Sequence, residues 1–79
     1  MSATWTEKQG QYLAFIHSYS KINRRAPAES DLEKYFRVAA PTIHQMVLKL
    51  EEKGLISRVP GQARSIKILV PAENIPALE

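Results

Sequence analysis

The stretch that decides the fold covers residues 36–43 and reads FRVAAPTI. Pro41 lacks a backbone N–H, so it fits the first turn of a helix, where that donor has no helical partner in any case. Only Arg37, Val38 and Ala39 separate Phe36 from the first turn of this helix, which leaves room for a tight connection. The stretch therefore predicts that one helix ends near Phe36 and another begins beside Pro41.

Apolar side chains recur at helical spacing on both sides of this connection. Downstream, Ile43, Val47 and Leu50 mark the inner face of a helix, and Gly54 is a typical helix stop. Upstream, a short helix is expected from about residue 28, with the carboxylates of Glu29 and Asp31 in its first turn. Its buried face consists of Leu32, Tyr35 and Phe36.

A longer helix is predicted at the start of the chain. Thr6 and Gln9 have the spacing of a capping box, which places the helix from Glu7 to about Lys21. Pro27 disfavours a helical conformation for the residue before it, so residues 23–26 are expected to form a loop. The apolar stripe of this helix consists of Tyr12, Leu13, Phe15, Ile16, Tyr19 and Ile22.

Two β-prone runs follow Gly54, residues 55–59 and 65–70, and residues 60–64 between them contain Pro60 and Gly61. They predict a hairpin. The fold class is therefore mainly α with a small β-hairpin, in the form of a winged helix-turn-helix with three helices and a two-stranded wing. Residues 1–70 would form this domain, and residues 71–79, with two prolines and little pattern, would form a loose C-terminal tail.

Composition limits the class of protein. A chain of 79 residues that is 44% hydrophobic and 24% charged fits one soluble globular domain. No apolar run approaches the roughly 20 residues of a membrane helix, and the N-terminus lacks a signal-peptide pattern, so we expect no membrane partner and a cytoplasmic location. Because there is no cysteine, disulfides, thiolate catalysis and cysteine zinc sites are excluded.

The turn departs from a common sequence pattern at two positions. Residues 36–43 resemble the turn of many bacterial regulators, which has a glycine and a capping serine where this chain has Arg37 and Ala39. A left-handed conformation at Arg37 and a missing hydroxyl at Ala39 should each cost about 1 kcal/mol. These costs weaken the turn but leave the assignment in place.

Three segments, WTEKQ at 5–9, LEEKGLI at 50–56 and ARSIKI at 63–68, resemble the N-terminal DNA-binding domain of the LexA family. The third helix and the wing are also similar to those of MarR-type regulators. The LexA resemblance covers roughly residues 5–70 and implies sequence-specific binding of double-stranded DNA and transcriptional repression. Nothing after Val70 resembles the family's self-cleaving peptidase domain, so we expect a stand-alone regulator or a mobile-element accessory protein, without control by autocleavage.

In such a domain the third helix would enter the major groove, where each base pair shows a distinct edge. The amide of Gln45 can pair with adenine through two hydrogen bonds, whereas Ala40 and Pro41 offer apolar contact to a thymine methyl. His44 is either a solvated side chain or a donor to a phosphate or a guanine. These side chains are the expected sequence readers.

The DNA backbone would be held by Thr42 and Lys49 and by two wing arginines, Arg58 and Arg64, because a narrow A·T-rich minor groove attracts arginine. Arg64 is the stronger wing candidate. The alternative role of Arg64 is that of a charge at the end of a strand, which pairs with a helix carboxylate such as Glu51 or Glu52. A module of this size would bind weakly, so a homodimer on paired half-sites is expected, joined by the aromatic side chains of the first helix or by the tail.

Two other classes of function compete. An enzyme is disfavoured because His17 and His44, the two histidines, have no metal-ligand spacing and no glycine-rich phosphate loop is present. We therefore expect no catalytic residue, metal, cofactor or small-molecule effector. The second is a winged-helix protein-interaction module without DNA binding, which the apolar residues 39–41 and the modest net charge of +3 would suit.

Overall fold

The computed structural model of the protein describes residues 5–79, and within them three α-helices precede a two-stranded antiparallel sheet. This arrangement confirms the predicted fold class. The elements are α1 (Glu7–Asn23), α2 (Glu29–Phe36), α3 (Ala40–Glu52), β1 (Ile56–Ser57), β2 (Lys67–Ile68) and a 3-10 turn (Ala72–Asn74). None of these helices combines the length and apolar character needed to cross a membrane.

The ends of α1 and α3 follow from local sequence. The predicted capping box is present, since the Gln9 N–H donates to Thr6 Oγ1 at 3.1 Å and the Thr6 N–H donates to Gln9 Oε1 at 3.0 Å. Gly54 ends α3 with a φ of +76°, which glycine adopts without steric cost. This lets the Leu55 N–H reach back to the Leu50 carbonyl at 3.0 Å.

The connection between α2 and α3 has the strained geometry that the sequence predicts. Arg37 is left-handed, with φ 58° and ψ 46°, and its N–H closes α2 on the Glu33 carbonyl at 2.8 Å. Ala39 is the N-cap of α3 and supplies no side-chain hydrogen bond. The turn is therefore formed by backbone geometry and by the packing of the helices on either side.

The core lies where the three helices meet the sheet. Aromatic rings attach α2 to α1, because Tyr12 stacks on Phe36 at 4.2 Å between centroids and Phe15 lies 4.7 Å from Tyr35. The aliphatic side chains that complete the core are Leu13, Ile16, Leu32, Ile43, Val47, Leu50, Leu55, Ile56 and Ile66. All three helices and the hairpin thus contribute side chains to one core.

Two predicted core positions are wrong. Ile22 is 78% exposed, because the end of α1 at residues 21–23 is exposed and extends past the side chains that could cover it. Tyr35 is also exposed, since its ring leans on Phe15 and Phe36 while its hydroxyl donates to the Glu79 carbonyl at 2.8 Å. In both cases the helical spacing continues beyond the area that the core can bury.

The hairpin is shorter than the predicted runs. Ile56 pairs with Ile68 and Ser57 with Lys67. Toward the loop the ladder stops, because the Val59 N–H donates to the side-chain oxygen of Ser65 at 2.9 Å instead of to the opposite strand. A hydroxyl therefore closes the loop where the sequence predicts continued strand.

The C-terminal segment is packed and not loose, contrary to expectation. The Gln11 side chain donates to the Ala77 carbonyl at 2.9 Å and accepts the Glu79 N–H at 2.8 Å. Ile75 packs against the core, and Pro76 lies beside Gly10, where a Cβ would come within 3.1 Å of the Pro76 ring. The apolar side chains of this segment give it surface to bury. Its assignment as a tail separate from the domain at residues 1–70 stays a prediction.

Candidate nucleic-acid interface

The outer face of α3 is the exposed side of an amphipathic helix. Ile43, Val47 and Leu50 are fully buried at helical spacing, so the opposite side must face solvent. The side chains predicted to contact DNA from this helix are all exposed: Ala40, Pro41, Thr42, His44, Gln45 and Lys49.

Three of these side chains line one shallow depression of about 280 Å³. Thr42, Gln45 and Lys49 border it together with Met46 and the end of Gln9. Their spacing of three and four residues places them in one row along the helix. A hydroxyl, a carboxamide and an ammonium group side by side can donate hydrogen bonds to base edges and to phosphate oxygens.

His44 is turned toward α2. Its Nδ1 lies 3.2 Å from both carboxylate oxygens of Glu29, and about half of the side chain is exposed. The imidazole is thus bonded to Glu29 and not simply solvated, and a contact of His44 with DNA stays a prediction. The sequence places Glu29 in the first turn of α2 without indicating that it reaches α3.

A groove of about 310 Å³, here called the wing groove, separates the helix-turn-helix from the hairpin loop. One wall is formed by residues 27–29 and His44, and the other by Arg58 and residues 61–66. The predicted wing arginines, Arg58 and Arg64, therefore both border the wing groove, as does His44.

Arg58 is paired within the domain. Its Nε donates to Glu51 Oε1 at 3.1 Å, and 16% of the side chain is exposed. The alternative proposed for Arg64, a bond to a carboxylate of the third helix, is therefore made by Arg58. This ion pair fastens the first strand of the wing to α3.

Arg64 faces inward from the end of the wing loop. Its Nη1 lies 3.0 Å from the Tyr19 hydroxyl, 3.2 Å from the Ala26 carbonyl and 3.2 Å from Asp31 Oδ2. Asp31 also accepts the Ala28 N–H at 2.8 Å. That N–H and then the Arg64 guanidinium hold the pKa of the Asp31 carboxyl below its ordinary value.

The contact of Arg64 is of the predicted alternative kind, a helix carboxylate, but the helix is α2. Sequence reasoning assigned Asp31 only to the first turn of α2 and Tyr19 only to the stripe of α1. Because these partners lie 33 and 45 residues from Arg64, periodicity could not have joined them. The one available signal was the isolation of Arg64 among uncharged residues 59–66.

Further contacts and cations surround the face of α3. The Lys53 ammonium donates to Gln9 Oε1 at 2.8 Å, which joins the end of α3 to the start of α1. Basic side chains that are exposed outside α3 include Arg24, Arg25, Arg37 and Lys67. Within residues 5–79, no cluster of three or more histidine, aspartate or glutamate side chains is placed to hold a metal ion.

Residues 2–65 match the family model described as the LexA DNA binding domain. The LexA repressor of Thermosipho melanesiensis (strain DSM 12029 / CIP 104789 / BI429) is 39% identical over 70 residues, which cover 89% of this chain and 35% of that protein. The LexA repressor of Thermosipho africanus (strain TCF52B) is 37% identical over 70 residues, with the same coverage of 89% and 35%. The chain thus spans about a third of the length of these curated relatives. MarR-type regulators are a different family from the one matched.

Proposed function

Since the chain belongs to the LexA DNA-binding domain family, we propose that it represses transcription by binding a specific sequence of double-stranded DNA. The observation that carries this proposal is the exposed row of Thr42, Gln45 and Lys49, backed by the buried side chains of Ile43 and Val47. A DNA partner places its action in the compartment that holds the DNA, which agrees with the expected cytoplasmic location. Neither family membership nor the relatives' names favour a protein-interaction module or an enzyme.

The outer face of α3 lies in the major groove. Gln45 reads adenine through its carboxamide, while Ala40 and Pro41 meet a thymine methyl. Thr42 and Lys49 hold the sugar-phosphate backbone and set the register. Residues 40–43 contain no carboxylate, so the positive end of the helix dipole is not neutralised there and a phosphate can approach it.

His44 stands at the border between this face and the wing groove. Its bond to Glu29 fixes the ring near the start of α3. In the bound state, a phosphate or a guanine would compete with the Glu29 carboxylate for the imidazole. His44 is thus a contact at the edge of the reading face.

The hairpin lies across the neighbouring backbone or minor groove, and its arginines serve this part of the interface. Arg58 carries five N–H donors, and its bond to Glu51 uses the Nε group. The other N–H groups of the Arg58 guanidinium are donors of the type that binds a phosphate oxygen. Arg64 supports the same surface from the end of the loop.

Tight binding requires a second copy on a paired half-site, roughly one helical turn of DNA away. The first helix offers little for a direct contact between copies, because Tyr12 is buried and Phe15 and Tyr19 are half-buried against side chains of their own chain. The C-terminal segment is likewise engaged with Gln11. We therefore propose a homodimer whose two copies meet on the operator.

The test is selection of bound duplexes from a random pool, followed by titration of the enriched duplex at several salt concentrations. We expect paired, symmetric half-sites and a slope of log affinity against log salt of about −3 to −5 per copy, from three to five phosphate contacts. A single-stranded pool is the control. Absence of enrichment, together with no complex at low ionic strength, would contradict the proposal.

A further inference from the structure

Resting on the proposed function, we infer that Arg64 is a positioning residue for DNA binding. It holds the wing at a fixed orientation to the helix-turn-helix through Tyr19, Ala26 and Asp31, and it contributes to affinity by this route and not by contacting a phosphate.

The first support is connectivity. One nitrogen of Arg64 contacts acceptors on α1 (Tyr19), on the loop before α2 (Ala26) and on α2 itself (Asp31). The guanidinium carbon also lies 5.9 Å from the centre of the Tyr19 ring, within the range of a cation–π contact. A single side chain therefore joins the wing to three parts of the helical body.

The second support is backbone strain. Arg64 has a φ of +58°, a left-handed conformation that non-glycine residues adopt at a cost. Such strain persists only where the surroundings compel it. Here the inward contacts of the Arg64 side chain hold the backbone in this conformation. A glycine at the same position would have no such contacts.

The third support is the small size of the hairpin, whose base is held by the buried side chains of Ile56 and Ile66 and by the bond from Arg58 to Glu51. β1 and β2 are only two residues long, and a hairpin of this size has marginal stability by itself. Across the wing groove, the wall with Glu29 and His44 faces the wall with Arg64. At the end of the loop, the side-chain contacts of Arg64 reach both α1 and α2 and can therefore fix the orientation of the loop to the helices.

The test removes one hydroxyl outside the DNA-facing surface. Tyr19→Phe keeps the ring of Tyr19 and deletes one of the three acceptors of Arg64, and Tyr35→Phe is the matched control because its hydroxyl serves Glu79 instead. If the oriented wing falls to about a fifth of the population, affinity for the duplex selected by the wild-type protein falls about fivefold. Tyr19→Phe should show this loss with an unchanged salt slope, and Tyr35→Phe should bind like wild type.

Arg64→Ala should also lower affinity without changing the salt slope, and the double variant with Tyr19→Phe should bind no more weakly than Arg64→Ala alone. Arg64→Lys, which keeps the charge but not the planar fork, should restore little of the loss. Residual dipolar couplings of the amides at 57–67 in the free protein provide a readout without DNA, and Tyr19→Phe should change them relative to those of the helices. If Arg64→Ala does not fold, Tyr19→Phe and these couplings still decide the question.

Three results would overturn the inference: wild-type affinity in Tyr19→Phe, a slope reduced by about 0.9 in Arg64→Ala, which reports a lost phosphate contact, or unchanged wing couplings in Tyr19→Phe. The first two require a wild-type protein that binds the duplex, whereas the couplings are measured in the free protein. If the wild-type protein binds no duplex, it is the proposed function that fails, so the two failures are distinct.

Discussion

Replacing Ala39 by serine should stabilise the domain at the start of α3. Ala39 is exposed and has φ −70° and ψ 156°, the extended geometry of an N-cap residue. A serine hydroxyl there can accept the N–H of a residue in the first turn without any change of backbone. The substitution adds a cap to a helix that lacks one.

The expected magnitude follows from the donors that are present. A cap hydroxyl accepts from the second or third helical residue, and the second is Pro41, which has no N–H. Only Thr42 remains, and its N–H already bonds the Ala39 carbonyl at 3.0 Å. We therefore take the lower part of the usual range, about 0.5–1 kcal/mol. For a domain of this size that corresponds to a rise in Tm of roughly 2–8 °C.

Thermal unfolding followed by circular dichroism, with urea unfolding for the free energy, measures the effect. The matched control is Ala40→Ser, one position into the helix, where a hydroxyl cannot cap and serine is a slightly poorer helix former than alanine. A Tm for Ala39→Ser at or below that of wild type would refute the capping argument. An equal rise in Ala40→Ser would show that the gain does not come from the cap.

Three further experiments test other parts of the structure. Gln45→Ala should reduce the ratio of affinities for selected and scrambled duplexes, whereas Lys49→Ala should weaken both alike and reduce the salt slope by about 0.9; the reverse pattern would contradict the assigned roles. Asp31→Asn should lower the free energy of urea unfolding near neutral pH. The Ala28 N–H and then the Arg64 guanidinium lower the pKa of Asp31 from 3.8. The stability advantage of the wild-type protein is therefore present above that value and is lost as pH falls through the lowered pKa. A difference in unfolding free energy that does not depend on pH would refute this. Gly10→Val should displace Trp5 and Pro76, since even a Cβ would lie 3.0 Å from Trp5 Nε1 and 3.1 Å from the Pro76 ring, and tryptophan fluorescence should change; an unchanged spectrum would show that this packing around Gly10 is absent.

The elements that the sequence predicted correctly depend on neighbouring residues. Pro41 and Gly54 act within one turn of their own positions, and the capping box joins residues three apart. The left-handed Arg37 was likewise predicted, because it occupies the glycine position of a recurrent turn. Fold and turn geometry were thus available from local rules.

The contacts that shape the candidate site are long-range and were not available in this way. Glu29 and His44 lie 15 residues apart, and the partners of Arg64 lie further still. Periodicity identifies which side of a helix is exposed, so it predicted the outer face of α3, but it does not say which exposed charges meet. For the same reason it could not show that Ile22 extends past the core or that Gln11 holds the C-terminal segment.

Leu55 links α3 to the wing through its backbone, because its N–H bonds the Leu50 carbonyl and its carbonyl accepts the Leu69 N–H at 3.0 Å. The last turn of α3 and the base of the hairpin therefore cannot open independently at this residue. In native-state hydrogen exchange, the amides of Leu55 and Leu69 should become exposed in the same opening event and respond equally to low concentrations of denaturant. α3 and the hairpin would then behave as one cooperative folding unit.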